Sequence, residues 1–165
     1  MTKIALLSDT HHYMDAAILQ HTANCHEIWH AGDFGTAVVA DQLAATGKVV
    51  RGVYGNIDGN DIRQQFPEIG FWQIEEVRVL MLHIGGYPPK YNAQSKKLIA
   101  QYQPHLFISG HSHILKVMYD EAKECLHINP GAAGKQGWHT VRTMVRFVID
   151  GNQIQQLEII ELGGR

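Results

Sequence analysis

Five short apolar runs in this chain break off into polar clusters rich in Gly, Asp, Asn and His, and that repeated junction constrains the fold more than any other feature. Residues 3–7, 27–30, 49–54, 77–84 and 106–109 read as buried strands. They lead into Ser8-Asp9-Thr10-His11, Ala31-Gly32-Asp33, Gly55-Asn56-Ile57-Asp58, Leu82-His83 and Gly110-His111-Ser112-His113. Helical patterns separate several of them. Residues 15–21 read as a short helix. A second helix, with Thr36 as its N-cap and Gly47 as its stop, carries Val39, Leu43 and Ala44 on one face. A third, capped by Asn92 and ended by Pro104, carries Leu98, Ile99 and Tyr102. Residues 71–75, 115–119, 125–128, 141–149 and 154–160 are further strands, and Asp150-Gly151 joins the last two as a hairpin. Alternating βα units followed by a run of strands predict an α/β chain, built on one mixed sheet or on two stacked sheets with helices outside.

In an open α/β sheet, ligands bind beyond the carboxyl ends of the strands. Asp9, Asp33, Asn56, His83 and His111 follow one another at intervals of 24, 23, 27 and 28 residues. Each interval is about one strand plus its connection, so the chain returns to the same rim each time. Within two clusters the donors sit at i and i+2, Asp9 with His11 and His111 with His113. An extended backbone would aim both members of each pair at one face.

The chain has 165 residues and 11 His, with 14 Lys plus Arg against 16 Asp plus Glu, a formal charge of −2. Apolar residues are 45% of the total, which excludes a disordered composition. The length suits a single domain over residues 1–165. Without a basic tract there is no electrostatic footprint for nucleic acid. No stretch reaches the ~20 apolar residues of a membrane span, and no secretory leader is read at the start. Cys25 and Cys125 lie far apart without C-x-x-C spacing, as expected of two reduced thiols in a cytoplasmic protein.

The convergent set is Asp9, His11, Asp33, Asn56, His83, His111 and His113: imidazoles, carboxylates and one amide oxygen, without thiolate. This mix suits Mn²⁺, Fe²⁺, Zn²⁺, Co²⁺ or Ni²⁺ better than Ca²⁺ or Mg²⁺. Seven groups exceed one four-coordinate zinc. With one carboxylate shared, they supply two divalent ions, an arrangement suited to displacement at phosphorus.

Asp-x-His, Gly-Asp, Gly-Asn, a lone His and Gly-His-x-His, in this order, resemble the calcineurin-like metallophosphoesterase superfamily. Ser8-Asp9-Thr10-His11, Gly55-Asn56-Ile57-Asp58 and Asn129-Pro130-Gly131 are similar to its small bacterial and archaeal phosphodiesterase branch, which also contains the vacuolar sorting subunit of the retromer coat. The resemblance implies a four-layer αββα sandwich of two mixed sheets flanked by helices. It implies that Asp9, His11, Asp33 and His113 hold one metal and Asp33, Asn56, His83 and His111 the other, with Mn²⁺ the first expectation. It further implies hydrolysis of a small-molecule phosphodiester by a hydroxide shared between the ions, Asn56 stabilising charge on the phosphoryl oxygens. A non-catalytic protein-binding scaffold on the same fold is the alternative.

Two departures from the family pattern stand out. Many members carry His after the Asn, where it protonates the leaving group; here Ile57 cannot transfer a proton. His12 is the substitute candidate, and Asp58 is expected to orient Asn56 or bind substrate. Ile84 stands between His83 and Gly85, where the family pattern has Gly next to the His. Among the rest, His30 is expected to be a hydrogen-bonded core residue, His21, His26, His105 and His127 structural or superficial, and Trp29, Trp72 and Trp138 packing residues. The segment 134–139 with Arg142 reads as a solvated hairpin or, alternatively, a substrate-contact loop. Oligomeric state is not legible in the sequence.

Overall fold

The computed structural model describes residues 1–165. The chain runs through β1 (Thr2–Leu7), α1 (Ala16–Thr22), β2 (Glu27–His30), α2 (Ala37–Ala44), β3 (Val49–Gly52) and the single turn α3 (Asn60–Arg63). It continues through β4 (Ile69–Ile74), β5 (Val77–Leu82), the small hairpin β6 (Gly86–Tyr87) and β7 (Lys90–Tyr91), then α4 (Ala93–Tyr102) and β8 (Leu106–Ile108). The strands β9 (Leu115–Asp120), β10 (Cys125–Pro130), β11 (Val141–Asp150) and β12 (Gln153–Gly164) complete it.

Ten of these strands form two mixed five-stranded sheets, in the orders β12-β11-β1-β2-β3 and β4-β5-β8-β10-β9. Strands β1, β2 and β3 are parallel to one another, as are β5, β8 and β10. Alternation along the strands builds three apolar layers. Ile4 and Leu6 of β1 face Val79 and Met81 of β5 and Ile108 of β8 in the core between the sheets, around Trp29 and Phe147. Ala5 and Leu7 face the opposite way, onto Ile18 of α1, Val39 and Leu43 of α2 and Ile62 of α3. Leu80, Leu82 and Phe107 pack against Leu98 and Ile99 of α4. Each such side chain contributes about 1.5–3 kcal/mol by burial. Two sheets face to face with helices on both outer faces are the four-layer sandwich that the motifs implied.

The local signals fared unevenly. Asp15 caps α1 by accepting from the Ile18 N–H at 3.0 Å, and Asn92 caps α4 by accepting from Ser95 N–H at 2.8 Å. Thr36 occupies the N-cap position of α2, but its side chain makes no capping bond. The α2 terminus is met instead by Asp61 of α3, which accepts from the Ala37 N–H at 2.9 Å. The buried face of α2 is Val39, Ala40 and Leu43, with Ala44 outside. Trp29 and Trp72 pack edge to face, 5.0 Å between centroids, but Trp138 is 99% exposed. It sits on a short loop between Gly137 and His139, with no layer above it to pack against.

Candidate metal centre

The carboxyl ends of β1, β2 and β3 in one sheet and β5 and β8 in the other meet at one rim, bringing all seven expected donors together. Asp9, His11 and His113 form one group and Asp33, His83 and His111 another, the ligand atoms within each lying inside 4.8 Å. Asn56 Oδ1 stands 3.1 Å from His83 Nε2 and so joins the second group. Asp33 lies between the groups, its Oδ2 3.4 Å from His11 Nε2 and 3.1 Å from His83 Nε2. Asp9 Oδ1 is 3.1 Å from His113 Nε2 and 3.7 Å from His11 Nε2.

The supporting hydrogen bonds leave the inward atoms free. Asp9 Oδ2 accepts from the Ser8 hydroxyl at 2.6 Å and from the His111 N–H at 3.1 Å, which turns Oδ1 inward. Asp33 Oδ1 accepts from the Ile57 N–H at 3.0 Å, which does the same for Oδ2. His83 donates Nδ1–H to the Ala31 carbonyl at 2.8 Å, leaving Nε2 as the ligating nitrogen. Asp9 Oδ1 and both ring nitrogens of His11 are buried without a hydrogen-bond partner. Buried polar atoms rarely stay unpaired, and a cation is the partner that imidazole and carboxylate donors share. The residues therefore fit two divalent ions.

Charge in the centre is strongly coupled. Burial pushes the Asp9 and Asp33 carboxyls up, but the imidazoles of His11, His83 and His113 outweigh it and hold both well below the usual carboxylate range. Asp33 and then Asp9 raise His11 to about 9. His83 is also raised, Asp33 overcoming its burial, whereas burial and the neighbouring His83 lower His111.

The backbone route to this geometry differs from the extended one expected. Asp9, His11, His111 and His113 have φ of 53, 43, 69 and 60°, in the left-handed region. The donor loops are bent, and they are held by each other: Asp9 N–H donates to Gly32 O at 2.9 Å, His11 N–H to Asp33 O at 3.0 Å and Gly110 N–H to His83 O at 2.9 Å. Left-handed backbone is uncommon for residues other than Gly, with Asp and His among the tolerant ones. Gly55 is required by close approach, since a Cβ there would stand inside the Asp33 carboxylate.

The other expected residues separate clearly. Asp58 is only 3% exposed, and its carboxylate accepts N–H bonds from Phe34 at 3.3 Å, Gly35 at 2.9 Å and Gly55 at 2.8 Å. It joins the loop of Asp33 to that of Asn56 from beneath, which fits the first of its two expected roles, orienting Asn56, and not contact with substrate. His12 is exposed, its ring lying against Gly35. Ile57 is 40% exposed. His30 is fully buried and pushed down to about 3 by desolvation; its Nδ1 accepts from Gly32 N–H at 3.1 Å and its Nε2 meets Thr10 Oγ1 at 3.0 Å. Arg142 is buried and pairs with Asp15 at 3.0 Å, so it is no substrate contact.

Sequence reasoning missed the roles of Ser8 and Asn129. Asn129 donates Nδ2–H to Gly110 O at 3.0 Å and to Ser112 Oγ at 3.1 Å, and accepts from Gly131 N–H at 3.0 Å, holding the loop of His111 and His113. Its place in Asn-Pro-Gly at a strand end was the available signal.

A family model for the calcineurin-like phosphoesterase superfamily domain matches residues 2–152. The chain belongs to the calcineurin-like phosphoesterase superfamily. No curated protein matches it in sequence. Among solved structures, an archaeal phosphodiesterase is 20% identical, with a TM-score of 0.77 over 97% of this chain and 99% of that one. Vps29 from Chaetomium thermophilum is 11% identical, with a TM-score of 0.76 over the whole of both chains. Vps29 from Entamoeba histolytica, solved with zinc, is 16% identical, with a TM-score of 0.72 over 96% of this chain and 98% of that one. At these identities the likeness carries the fold alone. In this chain the seven candidate donors all lie beyond the ends of β1, β2, β3, β5 and β8.

Proposed function

We propose that this protein is a phosphodiesterase that uses two divalent metal ions, Mn²⁺ first among them, to hydrolyse a small-molecule phosphate ester. One observation carries the reading: the free oxygen of Asp33 lies between His11 and His83 while each donor group is complete on its own side. Asp9, His11, Asp33 and His113 would hold one ion and Asp33, Asn56, His83 and His111 the other. When bound, such a pair activates water and neutralises the phosphoryl oxygens.

The protein's own groups do the rest. Asn56, exposed at the end of its loop, presents its amide to the phosphoryl group. Asp58 and the Ile57 N–H keep Asn56 and Asp33 in register. His12 supplies the leaving oxygen with a proton in place of Ile57. The charge of −2 without a basic tract favours a small ester over a polynucleotide. No helix is long and apolar enough to cross a membrane, and two buried, unpaired thiols fit a cytoplasmic location.

The test is nitrophenol release from bis(p-nitrophenyl) phosphate with Mn²⁺, Ni²⁺, Co²⁺ and Zn²⁺, metal content being measured in each sample. Turnover that a chelator abolishes and Mn²⁺ restores is the expected result. Absence of turnover with all four metals bound overturns the reading in favour of a non-catalytic protein-binding scaffold on the same fold.

A further inference from the structure

A cavity of about 400 Å³ opens beside His111, between the β6–β7 hairpin and the loop that carries Ser112 and Ile114. Its size lies in the range of small-molecule sites. Ile84, Tyr87 and Ile114 give it apolar walls, and Lys90 and Lys116 are its charged residues; no carboxylate lines it. In a chain where acidic residues outnumber basic ones, a cavity with two cations and no anion is a local reversal of charge. Lys116 Nζ sits 3.5 Å from the centre of the Tyr87 ring, so the ammonium is held at the wall by a cation–π contact.

The cavity also has a polar floor. His127 is 1% exposed and donates Nδ1–H to the Phe107 carbonyl at 3.1 Å, so its Nε2 carries a lone pair, and that nitrogen has no protein partner. Burial pushes this imidazole down to about 4, which keeps it neutral. Ile84, the residue that departs from the family pattern, is 44% exposed and also lines a second, smaller cavity with Asn56 and His83. It divides the approach to the second donor group into two arms, one on the His111 side and one on the His83 side.

We propose that the His111-side cavity is the subsite for one ester arm of the substrate, an arm with an apolar body and an anionic end such as a carboxylate or second phosphate. Lys90 and Lys116 take the anionic end, Ile84, Tyr87 and Ile114 the body, and His127 Nε2 accepts a hydroxyl or N–H on that body. The assignment of an ester arm rests on the phosphodiesterase reading; the preference for an anionic end rests on the cavity.

The two are tested separately. Binding of 4-carboxybenzylphosphonate, whose C–P bond resists hydrolysis, is compared with that of 4-methylbenzylphosphonate by calorimetry, on protein with and without Mn²⁺. The carboxylate is expected to tighten binding about tenfold, the scale of one charge-assisted contact. A Lys90→Met/Lys116→Met double variant should bind the two ligands alike, with the affinity for the methyl ligand unchanged; Lys123→Met, on the β9–β10 turn outside the lining of this cavity, should retain the preference. Equal affinities in the parent protein, or a preference that survives in the double variant, overturn the proposal. In turnover, 4-carboxyphenyl p-nitrophenyl phosphate should show a lower KM than its methyl ester. A carboxylate preference in binding without hydrolysis of any ester supports the cavity's anion preference and removes the phosphodiesterase reading instead.

Discussion

His83 donates its Nδ1–H to the carbonyl of Ala31 at 2.8 Å, joining the end of β5 in one sheet to the end of β2 in the other. The same ring presents Nε2 to Asp33 at 3.1 Å, so one side chain both closes the rim of the sandwich and belongs to the second donor group. Replacing His83 by Ala should reduce bound metal from two ions to one. Turnover should fall by more than the ~10–100-fold seen when a ligand's supporting partner is lost. The unpaired Ala31 carbonyl should also destabilise the fold by about 1–3 kcal/mol, or roughly 2–4 °C of melting temperature per kcal/mol. Metal analysis, turnover and thermal melting read the three effects.

Asp58 separates a positioning role from a catalytic one. Its carboxylate serves three backbone N–H groups, and Asn retains only one accepting oxygen. Asp58→Asn should therefore lower stability by about 1–3 kcal/mol and weaken metal binding. At saturating metal, kcat should stay within about threefold of the parent. A large fall in kcat with unchanged melting temperature and metal affinity would put Asp58 back against the substrate.

His12 is tested by the leaving group. p-Nitrophenolate departs without a proton, whereas an alkoxide needs one. His12→Gln should leave hydrolysis of bis(p-nitrophenyl) phosphate nearly unchanged and slow an alkyl diester by about 10²-fold. Equal losses on both substrates would exclude His12 as the proton donor.

Metal loading should reverse the pH dependence of stability. In the metal-free protein His11 is raised from 6.5 to about 9, so its stabilisation is fully present below pH 6.5 and is lost as pH rises through 9. The lowered Asp9 and Asp33 stabilise above about pH 3.8 and lose that effect only as pH falls through their depressed values. Metal binding must displace the His11 proton and so strengthens with pH over the same interval. Between pH 6.5 and 9, chelator-treated protein should melt at falling temperatures, and protein at a fixed, subsaturating Mn²⁺ concentration should show a growing stabilisation over it. Parallel trends would mean that His11 is not protonated in the metal-free site.

The strands and the rim were legible because side-chain period and connection length are local properties. Leu6 and Leu7 go to opposite faces of β1 whatever lies elsewhere, and intervals of one strand plus its connection return Asp9, Asp33, Asn56, His83 and His111 to one edge. Capping at Asn92 was legible for the same reason, since acceptor and N–H lie three residues apart, whereas Asp15, read as the first residue of its helix, is in the structure its cap. Thr36 makes no side-chain cap: the Val39 N–H bonds to its backbone carbonyl at 3.2 Å, and Asp61, 24 residues from Ala37, accepts from the Ala37 N–H.

By itself, then, the sequence determined an α/β chain of one mixed sheet or two stacked sheets, from periodicity, and the return of seven candidate donors to one edge, from their order along the chain; the four-layer sandwich came from the family resemblance. Only the tertiary structure decided how those donors are aimed. The left-handed turns at Asp9, His11, His111 and His113, the inward choice of oxygen at Asp9 and Asp33, the burial of Asp58 and the cations beside His111 all depend on hydrogen bonds and packing between loops far apart in the chain. Such contacts exist only after the two sheets have closed on each other, because neither rim alone supplies the partner groups that bend and orient the other.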